Sequence, residues 1–246
     1  MRRFFLSGLL GLCLHAQPTL YFEGRYWRTE LGSRFRVDRN GIGTDIDVVK
    51  DLGFQDAGFP EGKFILQGTG GNRLSFGYTP INFSGDQTVT RTILFNGQPF
   101  TVGTQVISSL DVQHLQLSWA YQFRLARGKV HVGPLVQTNG FFIRGRLRAP
   151  VFSLDESEEF KAGLPTLGLA LDVRPHRKVE IFGEASGMSG GHYGYFISSE
   201  GGVRLFTVKW LYGTAGYRTF NLHIEHTPDF ARLRLRGPFV GLGIRL

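Results

Sequence analysis

The stretch His114-Leu115-Gln116-Leu117-Ser118-Trp119-Ala120-Tyr121-Gln122-Phe123-Arg124 changes character at every residue. Leu115, Leu117, Trp119, Tyr121 and Phe123 fall on one side of an extended chain, and His114, Gln116, Ser118, Ala120, Gln122 and Arg124 fall on the other. A period of two is the signature of a strand with one oily face. Here the oily face ends in a run of aromatic rings, as a strand facing lipid requires where it meets the headgroup layer.

The same alternation spreads outward from this stretch. Leu74, Phe76 and Tyr78 oppose Arg73, Ser75 and Gly77, and Leu167, Leu169, Leu171 and Val173 oppose Thr166, Gly168, Ala170 and Asp172. Ile181 opposes Glu180, Val203 and Leu205 oppose Arg204, and Leu20, Phe22 and Tyr26 oppose Tyr21, Glu23 and Arg25. Ten strands follow, at about 19–37, 60–68, 72–85, 108–124, 128–148, 162–174, 177–187, 195–207, 209–226 and 230–246. Connections after the even strands are tight, for example Gly68-Thr69-Gly70-Gly71 and Arg127-Gly128. Those after the odd strands include long ones at about 38–59, 86–107 and 149–161. Loop lengths sorted to opposite rims predict an all-β, antiparallel, up-and-down transmembrane barrel with both termini on the periplasmic side. Eight strands is the alternative, if the weak segment 60–68 and one other hairpin lie outside the wall. Asp45 to Val49 in the first long loop reads as a short extra strand or helix, and Asn96-Gly97 reads as the turn of a hairpin standing above the membrane.

Composition agrees with a barrel. Glycine occurs 34 times among 246 residues and aromatics make up 13%, against an average glycine usage of roughly 7%. No stretch of about 18 apolar residues marks a membrane helix. Arg2, Arg3 and the apolar run Phe4 to Leu14 followed by Ala16 read as a signal peptide over 1–16, leaving a barrel domain over 17–246. Cys13 is the single cysteine, and bulky Leu12 before it argues against lipidation, so the mature chain brings no thiol to an oxidising compartment. The net charge is +8; without Arg2 and Arg3, 26 basic residues stand against 20 acidic ones, or +6. On an exported chain such an excess points to anionic headgroups or lipopolysaccharide phosphate as partners, not to nucleic acid.

The final stretch, Phe239-Val240-Gly241-Leu242-Gly243-Ile244-Arg245-Leu246, alternates to the last residue. With Gly216-Tyr217-Arg218 upstream, it resembles the closing strands of the bacterial outer-membrane β-barrel superfamily, the small porin-like barrels. That resemblance implies an outer-membrane location, lipid and lipopolysaccharide around the wall, and insertion by the barrel assembly machinery. It also implies that Phe239, Val240, Leu242, Ile244 and Leu246 form the assembly-signal strand. Leu246 stands where the family usually ends in Phe.

Three constellations are candidates for function. Glu23, Arg25, Arg73, Asp172, Glu180, Glu184, Glu200, Arg204, Arg218 and Arg245 all take the lumen parity with both signs mixed. They read either as an ion-pair network plugging a narrow barrel or as the lining of a thin ion path. Combs of arginine at Arg144, Arg146 and Arg148, at Arg232, Arg234 and Arg236, and around Arg34, Arg36 and Arg39 lie towards one rim. Alternate strand residues stand roughly 7 Å apart on one face, and guanidinium grips phosphate bidentately. The combs read either as lipopolysaccharide contacts or as a paired, solvated rim. Leu233 and Leu235 have the opposite parity to Val240; a bulge near Gly237-Pro238 would account for the switch, and the direction of Arg232 to Arg236 stays open at this point. Asp45, Asp47, His223 and Glu225 faintly resemble the rim residues of outer-membrane proteases, without the Asp-x-His element of that group, and no His-x-Ser of the lipid A deacylases occurs. No catalytic, cofactor or metal residues are assigned. The sequence therefore reads as a non-enzymatic, monomeric outer-membrane barrel with a structural or surface-interaction role, with a narrow channel for ions or small hydrophilic solutes as the alternative and an outer-membrane hydrolase as the third reading.

Overall fold

A computed structural model describes residues 18–36, 44–95, 98–152, 154–226 and 229–246. The signal segment, Cys13, Arg39 and the Asn96-Gly97 turn lie outside these. Ten long strands build the wall: β1 (Thr19–Arg36), β2 (Ala57–Gln67), β3 (Asn72–Thr88), β4 (Gln105–Tyr121), β5 (Val130–Ala149), β6 (Leu154–His176), β7 (Val179–Ser189), β8 (Gly194–Phe206), β9 (Leu211–His226) and β10 (Asp229–Arg245). Each pairs antiparallel with its chain neighbours, and β10 returns to β1 to close the ring. At the seam Leu20 N–H donates to the Leu246 carbonyl at 3.0 Å and Leu246 N–H donates back at 2.9 Å. Closure leaves no free edge in the part of the wall that meets lipid, where an unpaired peptide group is costly.

Outward positions at the end carrying the chain termini are apolar: Leu117 is 57% exposed, Leu167 70% and Leu242 68%. From Leu115 to Tyr121 the β4 belt covers about 20 Å of strand, or roughly 16 Å of membrane at a tilt of about 40°. Beyond it, towards the loop end, the outside turns polar: Arg28 and Glu30 on β1, Asp111 on β4, Arg144 and Arg146 on β5, and Arg234 and Arg236 on β10 are exposed.

Three expectations need correction. Residues 149–161 are not a long loop: β5 and β6 run on as a ladder to Ala149 and Leu154, joined by the 3-10 turn Pro150–Phe152. Their polar side chains had the look of a loop, but at this height the strands face water on the outside, and Arg144 and Arg146 find Glu159 and Asp155 on the next strand. Nor is there a bulge at Gly237-Pro238. The β1–β10 register holds from Tyr21↔Arg245 to Arg36↔Phe230 without a shift. Leu233 and Leu235 point inward in step with Phe239; the polarity of the interior changes along the axis, and the parity does not. The hairpin Ile93–Phe95/Gln98–Phe100 is present, but Ile93 and Phe100 are buried in the core and do not stand free of the barrel. Ile46–Asp47 forms the short extra strand, against Arg34 and Phe35.

Candidate functional site

The interior has two tiers. In the tier nearer the termini, alternate residues of seven strands bring charge to the axis. Arg204 sits between Glu23 (2.6 Å) and Glu180 (2.6 Å). Arg25 reaches Glu200 at 2.8 Å and also pairs with Glu23. Arg73 bridges Asp172 (2.9 Å) and Glu184 (2.6 Å), Lys63 reaches Glu200 at 3.0 Å, Arg218 reaches Glu61 at 2.8 Å and Arg174 reaches Glu180 at 2.7 Å. Six carboxylates thus meet six cations among the described residues. Buried charges are tolerable when paired and hydrogen-bonded in this way. The paired groups of this tier sum to no net charge. A small polar cavity lies between Gln116, Gln137, Glu184, Ser198, Glu200 and Arg218, with room for about one water molecule.

Aromatic rings close this tier from above. The Arg25 guanidinium lies 4.6 Å from the Phe239 ring, Arg204 4.1 Å from Phe182 and Arg218 5.0 Å from Trp27, within the range of cation–π attraction. Trp27 is fully buried and donates its indole N–H to the Gly237 carbonyl at 3.1 Å. His114 marks the boundary, stacked on Phe141 at 4.7 Å with Nε2 3.1 Å from the Asn139 amide oxygen. The second tier is apolar: Ile81, Phe83, Phe141, Phe196, Phe220 and Leu235 pack against one another. The loops finish the closure, since Ile46, Val48, Leu52, Phe54, Val89, Ile93 and Phe100 all fold into the same cluster. Arg91 clasps the two loops, with Nη2 2.6 Å and Nε 3.2 Å from the Asp51 carboxylate and a further bond to the Asp45 carbonyl. Burial works against the ionised Asp51, but the Arg91 hydrogen bond and the Asp47 backbone N–H hold its carboxyl below the usual carboxylate range.

Of the ten lumen candidates, nine are buried on the axis; Arg245 lies at the terminal end, its guanidinium 4.7 Å from the Phe206 ring. Glu61, Lys63 and Arg174 join them unforeseen. Glu61 and Lys63 share their parity with Phe59 and Ile65, which blurred the polar–apolar contrast in β2. Trp27 escaped notice because its neighbours on the same face are the charged Arg25 and Glu23.

The arginine combs face outward and differ from each other. On β5, Arg144 is held by Glu159 (2.8 Å) and Arg146 by Asp155 (2.7 Å). Along the β1–β10 seam, Arg34 stands directly opposite Arg232 across the ladder, and Gly32 opposite Arg234. Arg236 pairs with Glu30 at 2.8 Å, Arg34 with Asp47 at 3.3 Å and Arg36 with Asp45 at 2.8 Å. Arg28 and Arg234 have no ion pair among the described residues. Arg232 donates to His223 Nδ1 at 3.1 Å, and His223 Nε2 lies 3.2 Å from Glu225. Asp47 is separated from His223 by Arg34 and Arg232, three strand spacings, or about 14 Å, so these residues share no cleft. Among the described residues no cluster of His, Cys, Asp and Glu could hold a metal ion. In the closing strand Phe239 turns inward onto Arg25, while Val240, Leu242, Ile244 and Leu246 form the outer row.

No protein-family model and no curated protein matches the chain. Solved structures do. The outer membrane protease OmpT of Escherichia coli matches with a TM-score of 0.56 at 10% identity over 93% of this chain and 97% of that one. The beta domain of the Bordetella autotransporter BrkA gives 0.48 at 12% identity over 93% and 98%. Ail of Yersinia pestis gives 0.40 at 8% identity over 92% and 99%. At these identities the likeness speaks for the fold. With its closed ten-stranded wall, apolar belt and charged interior, the chain has the fold of the outer-membrane β-barrels.

Proposed function

We propose that this barrel conducts nothing and catalyses nothing, and that it works through its outer surface. The observation behind this reading is the filled interior: a neutral ion-pair tier, an aromatic floor and an apolar tier capped by its own loops. A conducting barrel of this size needs a continuous wet path, and the apolar tier interrupts one. In this reading the loop end faces outward from the cell, β10 carries the assembly signal, and the seam arginines contact lipopolysaccharide phosphate. Arg232 and Arg234 support that contact, because neither meets a carboxylate among the described residues and a guanidinium grips phosphate bidentately. The β5 comb, already neutralised by β6, has less to offer.

Refolded protein in planar bilayers is expected to show no steady single-channel openings; sustained openings would defeat the reading. Vesicles containing lipopolysaccharide are expected to raise the urea midpoint of unfolding relative to phosphatidylcholine vesicles. Arg232→Ala with Arg234→Ala should remove most of that gain, while Arg144→Ala with Arg146→Ala should spare it.

A further inference from the structure

On the outer face near the loop end, three adjacent strands carry a row of basic side chains. Across the β1–β10–β9 ladders Arg34 stands opposite Arg232, and Arg232 opposite His223. Neighbouring strands run about 4.8 Å apart, so the three are immediate neighbours. Carboxylates serve the two ends of the row: Asp47 reaches Arg34 at 3.3 Å, and Glu225 lies 3.2 Å from His223 Nε2. Arg232, in the middle, has no ion pair among the described residues. Its Nε–H donates to His223 Nδ1 at 3.1 Å, and its guanidinium lies 5.6 Å from the Phe230 ring. That bond fixes the tautomer of the imidazole: Nδ1 offers the lone pair, and Nε2 carries the hydrogen that Glu225 accepts. The ring is largely covered, at 14% side-chain exposure, with the Tyr195 ring of β8 5.4 Å away on its other side. Arg234 follows Arg232 on β10, across from Asn221, and the exposed His192 stands on the 3-10 turn that packs on β9.

We infer that His223 governs the anion site of the seam: neutral, it holds Arg232 through Nδ1, and protonated, it releases Arg232 and joins it in binding a tetrahedral oxyanion. A proton on Nδ1 sets N–H against N–H and ends the bond between them. It also makes His223 the third cation in a row whose members repel across the ladders, while Glu225 keeps the charged ring in place. An oxyanion bridging Arg232 and the imidazolium answers that repulsion with charge-assisted hydrogen bonds. Imidazole is the side chain that changes charge between about pH 5 and 8, so the site strengthens as its surroundings turn mildly acid. This regulation rests on the reading of the seam arginines as a phosphate site, and it adds the proton that arms them. By linkage the coupling runs both ways: an anion that prefers the protonated form also favours protonation.

The test uses full-length protein in phosphatidylcholine nanodiscs, with inorganic sulfate as the probe because its charge is constant between about pH 5 and 8. With no anion present, nitrogen NMR signals of the His223 ring should show the Nε2–H tautomer at about pH 8. Exchange of the Arg232 Nε–H should quicken about fivefold or more as the ring protonates. Sulfate should then bind about tenfold more tightly at about pH 5.5 than at about pH 8. His223→Gln keeps an acceptor for Arg232 but takes no proton, and should bind weakly at both. His223→Lys carries a permanent charge and should bind at about pH 8 nearly as tightly as the parent does at about pH 5.5. An Nδ1–H tautomer, an Arg232 Nε–H indifferent to the ring, or an undiminished pH dependence in His223→Gln would overturn the inference. Lipopolysaccharide vesicles that raise the urea midpoint at neither pH would instead defeat lipopolysaccharide as the source of the phosphate, a separate failure that the sulfate titration does not share.

Discussion

The two tiers of the interior are built on the same strands with the same parity, yet they obey opposite rules. Near the termini the outside is lipid, so oily side chains leave the lumen and charges collect there as pairs. Past the belt the outside is water, and the pattern inverts: Arg144, Arg234 and Arg236 go out while Phe141, Leu233 and Leu235 go in. The lesson is that a strand's inner face is decided by the solvent its outer face meets at that height.

The contrast predicts different responses to the same kind of damage. Arg218→Met leaves Glu61 only its longer 3.6 Å contact with Arg25 in the charged tier and should cost about 3 kcal/mol by urea unfolding in detergent micelles. Phe141→Ala opens a void among Phe196, Phe220 and His114 and should cost about as much, roughly 3–5 kcal/mol. Second substitutions separate the tiers. Adding Glu61→Leu to Arg218→Met restores the charge balance and should recover about half of the loss, whereas adding Phe220→Ala to Phe141→Ala should deepen it. If the charged double variant is as unstable as the sum of its parts, pairing is not what holds that tier together.

A smaller effect concerns the loop clasp. The Asp51 carboxyl titrates below its unfolded value, so its contribution is complete above the unfolded pKa, about 4, and is lost as pH falls through the lower folded value. Hydrogen exchange over 44–56 should therefore quicken below about pH 4, and Asp51→Asn should flatten that dependence and leave exchange faster at neutral pH. The smallest effect is expected outside the wall, where Arg146→Ala breaks an exposed pair with Asp155 and should leave the urea midpoint nearly unchanged.

Much of this architecture was legible from alternation alone. The strand count, the outward belt and the lumen parity of residues such as Glu23, Asp172 and Arg204 all follow from a period of two. What escaped has one cause. Reading every strand as lipid outside and polar inside works up to the belt, then fails at Leu233 and Leu235, where a constant parity looked like a bulge, and at Asp155 to Lys161, where a strand in water looked like a loop. Partners were the other blind spot. Sequence places Arg144 and Arg232 in similar combs, but only the register shows one beside Glu159 and the other opposite Arg34.

The β1–β10 seam has a bearing on how the molecule is made. Glu23 and Arg25 sit on the first strand, and apart from each other and Glu61 their partners Arg204 and Glu200 lie some 180 residues later. These ions stay hydrated until the ring shuts, so the cost of drying them falls on the closing step and not on the hairpins that precede it. The last event of construction is thus also the one that expels water from the middle of the barrel.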